Sequence, residues 1–406
     1  MTKKKQSTRL KTRSIAVVTG TRSDYGILRP VIKAIDKHQR LELKLAVTNA
    51  HWDKTFGETA NEIKKDGFPI TYRILLPIIR GVGESISGKK PISAYDMARS
   101  VGVGITYFAE RFSNARPDIV LVLGDRFGMF AAASAAATMM IPVAHIHGGE
   151  RTKGGVDESY RHAITKLAHI HFPATKKSAS RILRMGEEKS RIHIVGAPAL
   201  DTIRGLNLAP AKDIIEKYYN GLAGKRHAIL VQHSVTSEPE KSGLQIKATL
   251  NALAASDCGV LAFYPTNDAG CDAIIEALNK PKWRKFMRVL KSLPHEEYLS
   301  LLSAVDFIIG NSSGGIIEAA SFRTPVINLG IRQNGREKAQ NVVDCEFKTG
   351  KIKQAIRYVL TNKTFRRRLS RIKNPYGDGR AASRIVKVLA NLRLDHKLIQ
   401  KQIQDP

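Results

Sequence analysis

Residues 117–127, Pro117-Asp118-Ile119-Val120-Leu121-Val122-Leu123-Gly124-Asp125-Arg126-Phe127, decide the fold. Ile119–Leu123 is uncharged and rich in aliphatic, β-branched side chains, which predicts a strand buried on both faces. Gly124 ends it, Asp125 and Arg126 occupy the turn, and an alanine-rich helix follows over about Phe127 to Met140. Pro142 stops that helix, and Val143–Ile146 reads as the next strand. It leaves through His147-Gly148-Gly149-Glu150, and a glycine-containing loop then carries Asp157, Glu158, Arg161 and His162. Two successive strand exits thus deliver acids, imidazoles and arginines to one rim. In an open α/β sheet that rim, at the carboxyl ends of the strands, is where ligands bind.

Upstream the same alternation holds. Ile15–Val18 reads as a strand running into Thr19-Gly20-Thr21-Arg22-Ser23-Asp24-Tyr25-Gly26, with a helix from about Ile27 to Lys37. A glycine turn before a helix suits an anion, and Arg22 adds a fork that fits phosphate. The competing reading is an ordinary strand–helix turn with a solvent-facing arginine. Leu41–Val47 is a strand leading to His51, Trp52 and Asp53; residues 55–66 read as helical and Tyr72–Leu76 as a third strand. The glycine-rich Gly81-Val82-Gly83-Glu84 is a candidate lid, and a helix over about Met97 to Arg111 leads back to the central stretch.

Downstream, His169–Pro173 and Ile192–Val195 read as strands, and residues 204–225 lose the regularity, which places a domain junction within them. The second half repeats the pattern. Strands at His227–Gln232, Val260–Phe263, Phe286–Val289, Phe307–Gly310 and Pro325–Leu329 are separated by helices, one around His295–Ala304. Strands alternating with helices at this spacing predict parallel, doubly wound sheets. Near the end, Ile385, Val388, Leu389 and Leu392 form one apolar helical stripe, and the polar residues after about 395 are expected to fray.

At 406 residues the chain is long enough for two domains. Its 43% hydrophobic and 25% charged residues describe a globular protein with ample core. Three cysteines without C-x-x-C spacing point to a reducing, cytoplasmic setting and away from disulfide or zinc frameworks. The N-terminus is basic with no apolar segment behind it, so no secretory signal is expected. The uncharged run Phe127–Ala144 reads as a buried helix plus strand, because it is mostly alanine with Ser134, Thr138 and Pro142. A formal charge of +30 raises nucleic-acid or anionic-membrane binding. Against it, the basic residues are scattered and no nucleic-acid motif is found, so neither partner is expected. Lys3, Lys4, Lys5, Arg9, Lys11 and Arg13 form a basic tail, read as disordered.

Asn311-Ser312-Ser313-Gly314-Gly315 is the best anion-site candidate, with hydroxyls and glycine N–H groups between a buried strand and a helix. Glu318, in the first turn of a helix from about Ile316, could grip ribose hydroxyls. The alternative is a helix cap with Ser313 at the N-cap. Asp125 is a general base if partly desolvated, or else an ion-pair partner of Arg126 or Arg161, or a helix N-cap. His145-x-His147 and His169-x-His171 have a metal-like spacing, but no set has the spacing of a zinc site, so no metal is expected. His162 and His233 read as catalytic or substrate-contacting. The serines sit in no G-x-S-x-G elbow.

Taken together, several stretches resemble the hydrolysing UDP-N-acetylglucosamine 2-epimerases of sialic-acid and legionaminic-acid synthesis. They are Thr19–Gly26, Gly124-Asp125-Arg126-Phe127, His145–Glu150, Asp157–Lys166, Gln232-His233, Gly310–Gly314, Pro325–Gln333 and Tyr376-Gly377-Asp378-Gly379. The resemblance runs in order from about residue 14 to 390. It implies two Rossmann-like domains around a cleft, the glycosyltransferase-B architecture. These are a sugar-side domain at 14–205 after the tail 1–13, a UDP domain at 206–378, and a helix at 379–406 crossing back to the first. By resemblance His233, Ser312, Ser313, Glu318 and Arg332 hold the nucleotide, Arg22 closes on phosphate and Arg126 lies on the sugar side. Acid and base roles fall on Asp125, Asp157 and Glu158, with His162 beside them. Many members carry a glutamate where His147 stands, which makes His147 a candidate for the C2 proton. The implied reaction eliminates UDP to a 2-acetamidoglucal and then hydrates it, with no cofactor, in a homodimer or homotetramer. A non-hydrolysing epimerase is the nearest rival, and a glycosyltransferase the next.

Overall fold

The computed structural model describes residues 12–52, 59–75, 94–152, 156–266 and 268–405, without the side chains of Arg22, Asn49, Ala50 and Ala94. Most of the basic tail, Asp53, the candidate lid at Gly81–Glu84 and the guanidinium of Arg22 therefore lie outside the described residues.

The first sheet consists of β1 (Arg13–Thr19), β2 (Leu41–Thr48), β3 (Ile70–Ile74), β4 (Ile119–Leu123), β5 (Val143–Ile146) and β6 (Ile170–Phe172). The second consists of β7 (Arg226–Val231), β8 (Cys258–Phe263), β9 (Met287–Leu290), β10 (Phe307–Gly310), β11 (Val326–Leu329) and β12 (Val342–Cys345). Their orders are β3-β2-β1-β4-β5-β6 and β12-β11-β10-β7-β8-β9. Every pairing is parallel. Both are doubly wound, and each reverses direction once, between β1 and β4 and between β7 and β10. β4 is buried along its whole length, as its uncharged sequence requires.

The helix Phe127–Thr138 covers one face of the first sheet, and its Ala131, Ala132, Ala135 and Ala136 are buried with Val120 and Val122. Small side chains let its backbone come close to the strands. On the other face, the helix Arg22–Asp36 shares a core with the helix Ala381–Asn391, through Leu28, Ile32, Ile385, Val386 and Leu389. Val388 and Leu392 pack at its margin. The last long helix is thus built into the first lobe. Among the described residues no helix is long and apolar enough to cross a membrane.

Several expectations are corrected. The first helix begins at Arg22 rather than about Ile27, and Arg13, read as part of the tail, opens β1. Ile192–Val195 is not a strand: a single bridge joins His171 to Ile192. The ladder stops there because β6 is short and Pro173 follows it with no N–H to donate. β12 was not foreseen; it is a half-buried edge strand whose pattern lacks clean alternation. Glu318 lies not in the first turn of a helix but at the break between two short ones, Ser313–Ile317 and Ala319–Phe322.

The residues after 395 do not fray. Asp395 caps a turn at Leu398, Arg191 donates to the carbonyls of Lys397 and Leu398, and Lys401 Nζ pairs with Glu187. Arg191 and Lys401 each find partners more than two hundred residues away, which no local pattern announces.

Candidate active site

The two reversal points face one another. Thr21, Ser23 and Asp24 after β1, Asp125 and Arg126 after β4, His233 after β7, and Ser312, Ser313 and Gly314 after β10 line a single cleft.

On the second lobe's wall, Asn311 is the organising residue. Its Oδ1 accepts from His233 N at 2.7 Å and its Nδ2 donates to His233 O at 2.9 Å, tying the exit of β10 to that of β7. Its own carbonyl accepts from Arg332 Nη1 and Gln333 Nε2, which draws in the loop after β11. Gly310 makes the approach possible. Its φ is +134°, and a Cβ there would sit 1.9 Å from Val231 O. The N-cap of the following five-residue helix is Ser312, accepting from Gly314 N at 3.3 Å, rather than Ser313. Glu318 is held by His295 Nε2 at 2.8 Å. Burial pushes the His233 imidazole down to about 3, so it is neutral. Thr266 N donates to its Nδ1 at 3.0 Å, which leaves Nε2 as the protonated nitrogen, a donor for an anion.

On the first lobe's wall, the hub is Arg161, with a side chain only 1% exposed. It binds Asp125 Oδ2, Glu158 Oε2 (2.6 Å), Thr152 Oγ1 (3.0 Å) and Glu150 O (3.2 Å). Of the partners open to Asp125 from sequence, the structure selects Arg161; Arg126 occupies the N-cap position of the helix after β4, with no side-chain cap bond. Burial pushes the Asp125 carboxyl up, but Arg161, Arg336 and Arg332 outweigh it and hold it below the ordinary carboxylate range. Asp157 goes the other way: burial and the charge of Asp125 push it up to about 6, against Arg332. Two carboxylates on one wall are thus driven apart, one ionised and one able to keep a proton near neutrality. That separation is how acid and base roles are divided in one site.

Among the described residues four ion pairs span the lobes; Arg29 with Glu296, at 2.5 Å, lies on the more exposed side, and the arginines of the other three line the cleft. Arg126 Nη2 lies 3.0 Å from Asp268 Oδ1, Arg332 Nη2 lies 3.7 Å from Asp157 Oδ2, and Arg336 Nη2 lies 3.1 Å from Glu150 Oε2. Burial works against the charge of Arg126, but Asp268 and Asp24 outweigh it.

Of the residues singled out from sequence, Asp125, Arg126, His147, Asp157, His233, Ser312, Ser313, Glu318 and Arg332 line the cleft. Glu158 and His162 do not. The two oxygens of Glu158 are spent on Arg161, Thr152 and His162, and His162 is partly open to solvent. Sequence reasoning assigned no site role to Glu150, Arg161, Asp268, His295 or Arg336. Glu150 and Arg161 stood in motifs already noted, but their neighbours across the fold could not be read there. Among the described residues, no group of three or more His, Cys, Asp or Glu is placed to hold a metal ion. The ring nitrogens of His145 face Gly124 O and Thr165 Oγ1, and His171 Nε2 faces Glu187.

This two-lobed fold has counterparts among known proteins. Residues 33–390 match the UDP-N-acetylglucosamine 2-epimerase family. The chain belongs to that family. It is 37% identical, over 96% of its own length and 98% of the other's, to a protein of Legionella pneumophila named UDP-N,N'-diacetylbacillosamine 2-epimerase (hydrolyzing). It is 34% identical to a UDP-N-acetylglucosamine 2-epimerase of Neisseria meningitidis serogroup B, over 84% of this chain and 86% of that one. The crystal structure of a Neisseria meningitidis UDP-GlcNAc 2-epimerase bound to UDP-GlcNAc superposes with a TM-score of 0.73. That match covers 93% of this chain and 99% of the other at 22% identity, a likeness of fold. As an epimerase-family chain, this one has the two-lobed glycosyltransferase-B architecture.

Proposed function

We propose that the protein is a hydrolysing UDP-sugar 2-epimerase. It would take UDP-N-acetylglucosamine, or the 2,4-diacetamido-2,4,6-trideoxy analogue, with water to UDP and the free 2-epimeric sugar, a precursor for sialic- or legionaminic-type acids. The observation that carries the reading is the pairing of walls: neutral donors and the Arg332 guanidinium on one side, and on the other two carboxylates held at opposite protonation tendencies. The hydrolysing activity named for the 37%-identical relative supports it.

In this reading residues 206–378 hold UDP. His233 Nε2–H, the Ser312 and Ser313 hydroxyls and Arg332 neutralise the departing diphosphate, with donors preorganised where charge develops. Arg22 joins them from the first lobe. Glu318 takes the ribose hydroxyls. Residues 14–205 hold the sugar beside Arg126, and 379–406 brace that lobe. His147 removes the C2 proton as the C1–O bond to UDP breaks, leaving the 2-acetamidoglucal. Asp157 then returns a proton to C2 on the opposite face, and ionised Asp125 takes a proton from the water whose oxygen bonds to C1. Glu158, with His162 against it, positions Arg161. The same reading has the enzyme working without a cofactor as a homodimer or homotetramer, which sedimentation tests.

NMR of incubations with the two UDP-sugars decides the matter. UDP plus a free manno-configured sugar is expected. A UDP-linked epimer would make it a non-hydrolysing enzyme, release of UDP only with an acceptor a transferase, and no reaction would remove the reading.

A further inference from the structure

His147 has a left-handed backbone, with φ of +65°. For a residue other than glycine this conformation is strained and persists only where surroundings enforce it. Gly148 and Gly149 pack the following turn tightly; a Cβ on Gly149 would sit 2.3 Å from Ser178 O. The turn brings Glu150 back under the ring, and His147 Nδ1 lies 2.5 Å from Glu150 Oε1. Glu150 is 3% exposed. Its second oxygen faces Arg336, an ion pair at 3.1 Å from the other lobe. Arg336 is itself anchored through its neighbour: Thr175 Oγ1 donates to the Glu337 carboxylate and Tyr376 Oη to the Glu337 carbonyl. Among the described residues, Nε and Nη1 of Arg336 and Oε2 of Glu150 are buried with no hydrogen-bond partner, so Arg336 holds Glu150 as an ion pair and not through a hydrogen bond.

We infer that Glu150 and Arg336 are positioning residues for proton removal: Arg336 keeps Glu150 fixed and anionic, and Glu150 holds His147 as the Nδ1–H tautomer, with Nε2 as the base at the substrate's C2. This deepens the proposed function and rests on it. The charges that meet at this point are few. Glu150 faces His147 and Arg336, while Arg161 reaches its backbone carbonyl. Burial would push the Glu150 carboxyl up, but Arg336 and His147 outweigh it and hold it well below the usual range. An anionic carboxylate can only accept, so the shared proton is on Nδ1 and the lone pair of a neutral ring is on Nε2. The arrangement follows the logic of a carboxylate that fixes a catalytic imidazole without taking its proton.

The test uses Glu150→Gln and Arg336→Gln in the full-length protein, with UDP affinity by calorimetry, steady-state UDP release, and the C2-deuterium isotope effect. Glu150→Gln should lower kcat on the order of 100-fold while UDP affinity stays within about twofold, and Glu150→Asp should recover part of the loss. Its isotope effect on kcat should exceed the wild-type value, because breaking the C2–H bond becomes slower than later steps. Arg336→Gln should show the same split, which keeps the test alive if Glu150→Gln does not fold. The double variant should be no worse than about twice the poorer single variant. Normal kcat, an unchanged isotope effect, losses of kcat and UDP affinity in step, or multiplying losses in the double variant each overturn the inference. Wild-type protein that releases no UDP would instead remove the underlying reading.

Discussion

Arg332 and Asp157 meet across the cleft, with Nη2 3.7 Å from Oδ2, although they belong to different lobes. The contact is long for an ion pair, and it does not overcome burial and the neighbouring charge of Asp125. Asp157 is therefore a carboxyl in this wall that keeps its proton to about pH 6, and burial pushes Asp24 up as well. The folded protein binds that proton more tightly than an unfolded chain, whose aspartates titrate near 4. The resulting stabilisation is complete below about pH 4 and is lost as pH rises through 6. Asp157→Asn should consequently be more stable than wild type at pH 8, on the order of 1–3 kcal/mol, with the gap closing by pH 4. Urea midpoints at the two pH values check this; an equal gap at both would contradict the assigned cause.

Glu318 offers a test of the proposed nucleotide wall. Held by His295 and buried, it has a carboxylate oxygen to give to a ribose diol. A hydrogen bond to a charged group contributes roughly 1.5–3 kcal/mol, so Glu318→Gln should weaken UDP binding about ten- to a hundredfold. The same variant should bind 2'-deoxy-UDP about as well as wild type does, because the missing hydroxyl removes the contact in both. Equal losses for the two nucleotides would assign Glu318 to structure alone.

Arg161 organises the first lobe's wall of the cleft. Replacing it with Met leaves Asp125 and Glu158 without their common cation in a buried setting. Breaking such a pair from one side costs roughly 3–5 kcal/mol. Chemical denaturation should show a loss of that size, and UDP release should fall with it. A loss below about 1 kcal/mol would mean that water or another cation takes over the carboxylates.

How far the sequence speaks depends on where a residue's partners come from. Ile119–Leu123 and Phe307–Gly310 declare themselves, because a central strand buried on both faces must be uncharged throughout. Val342–Cys345 does not, since an edge strand with one open side tolerates Asp344 and loses its pattern. The site follows the same rule. Asp125, His233 and Ser312 sit at strand exits beside the reversal points, where alternation of elements makes them candidates; a role for Arg126 came only from the family resemblance. Arg336 and Asp268 act on the opposite lobe, and their carboxylate or guanidinium partners lie more than a hundred residues away. Spacing along the chain holds no trace of such pairs.

The end of the chain shows that rule most sharply and supplies the last prediction. Glu187 is buried to 2% exposure between Lys166, His171 and Lys401. Burial alone would raise its carboxyl, but His171 and the two lysines hold it down at about 2. Its stabilising contribution is therefore present above about pH 4 and is lost as pH falls toward 2. Removing residues 394–406 takes away Lys401 and uncovers the apolar site of Leu398, which alone accounts for about 1.5–3 kcal/mol of burial. It also frees the Arg191 guanidinium from two carbonyls. The truncated chain should lose on the order of 3–5 kcal/mol, and Lys401→Met, which keeps Leu398 in place, should lose less. UDP affinity should be unchanged in both, since these contacts brace the far edge of the first sheet while the nucleotide wall belongs to the second. Thermal unfolding with and without UDP separates the outcomes: equal stability of the truncated and complete chains would return the segment to the frayed tail that its composition suggests.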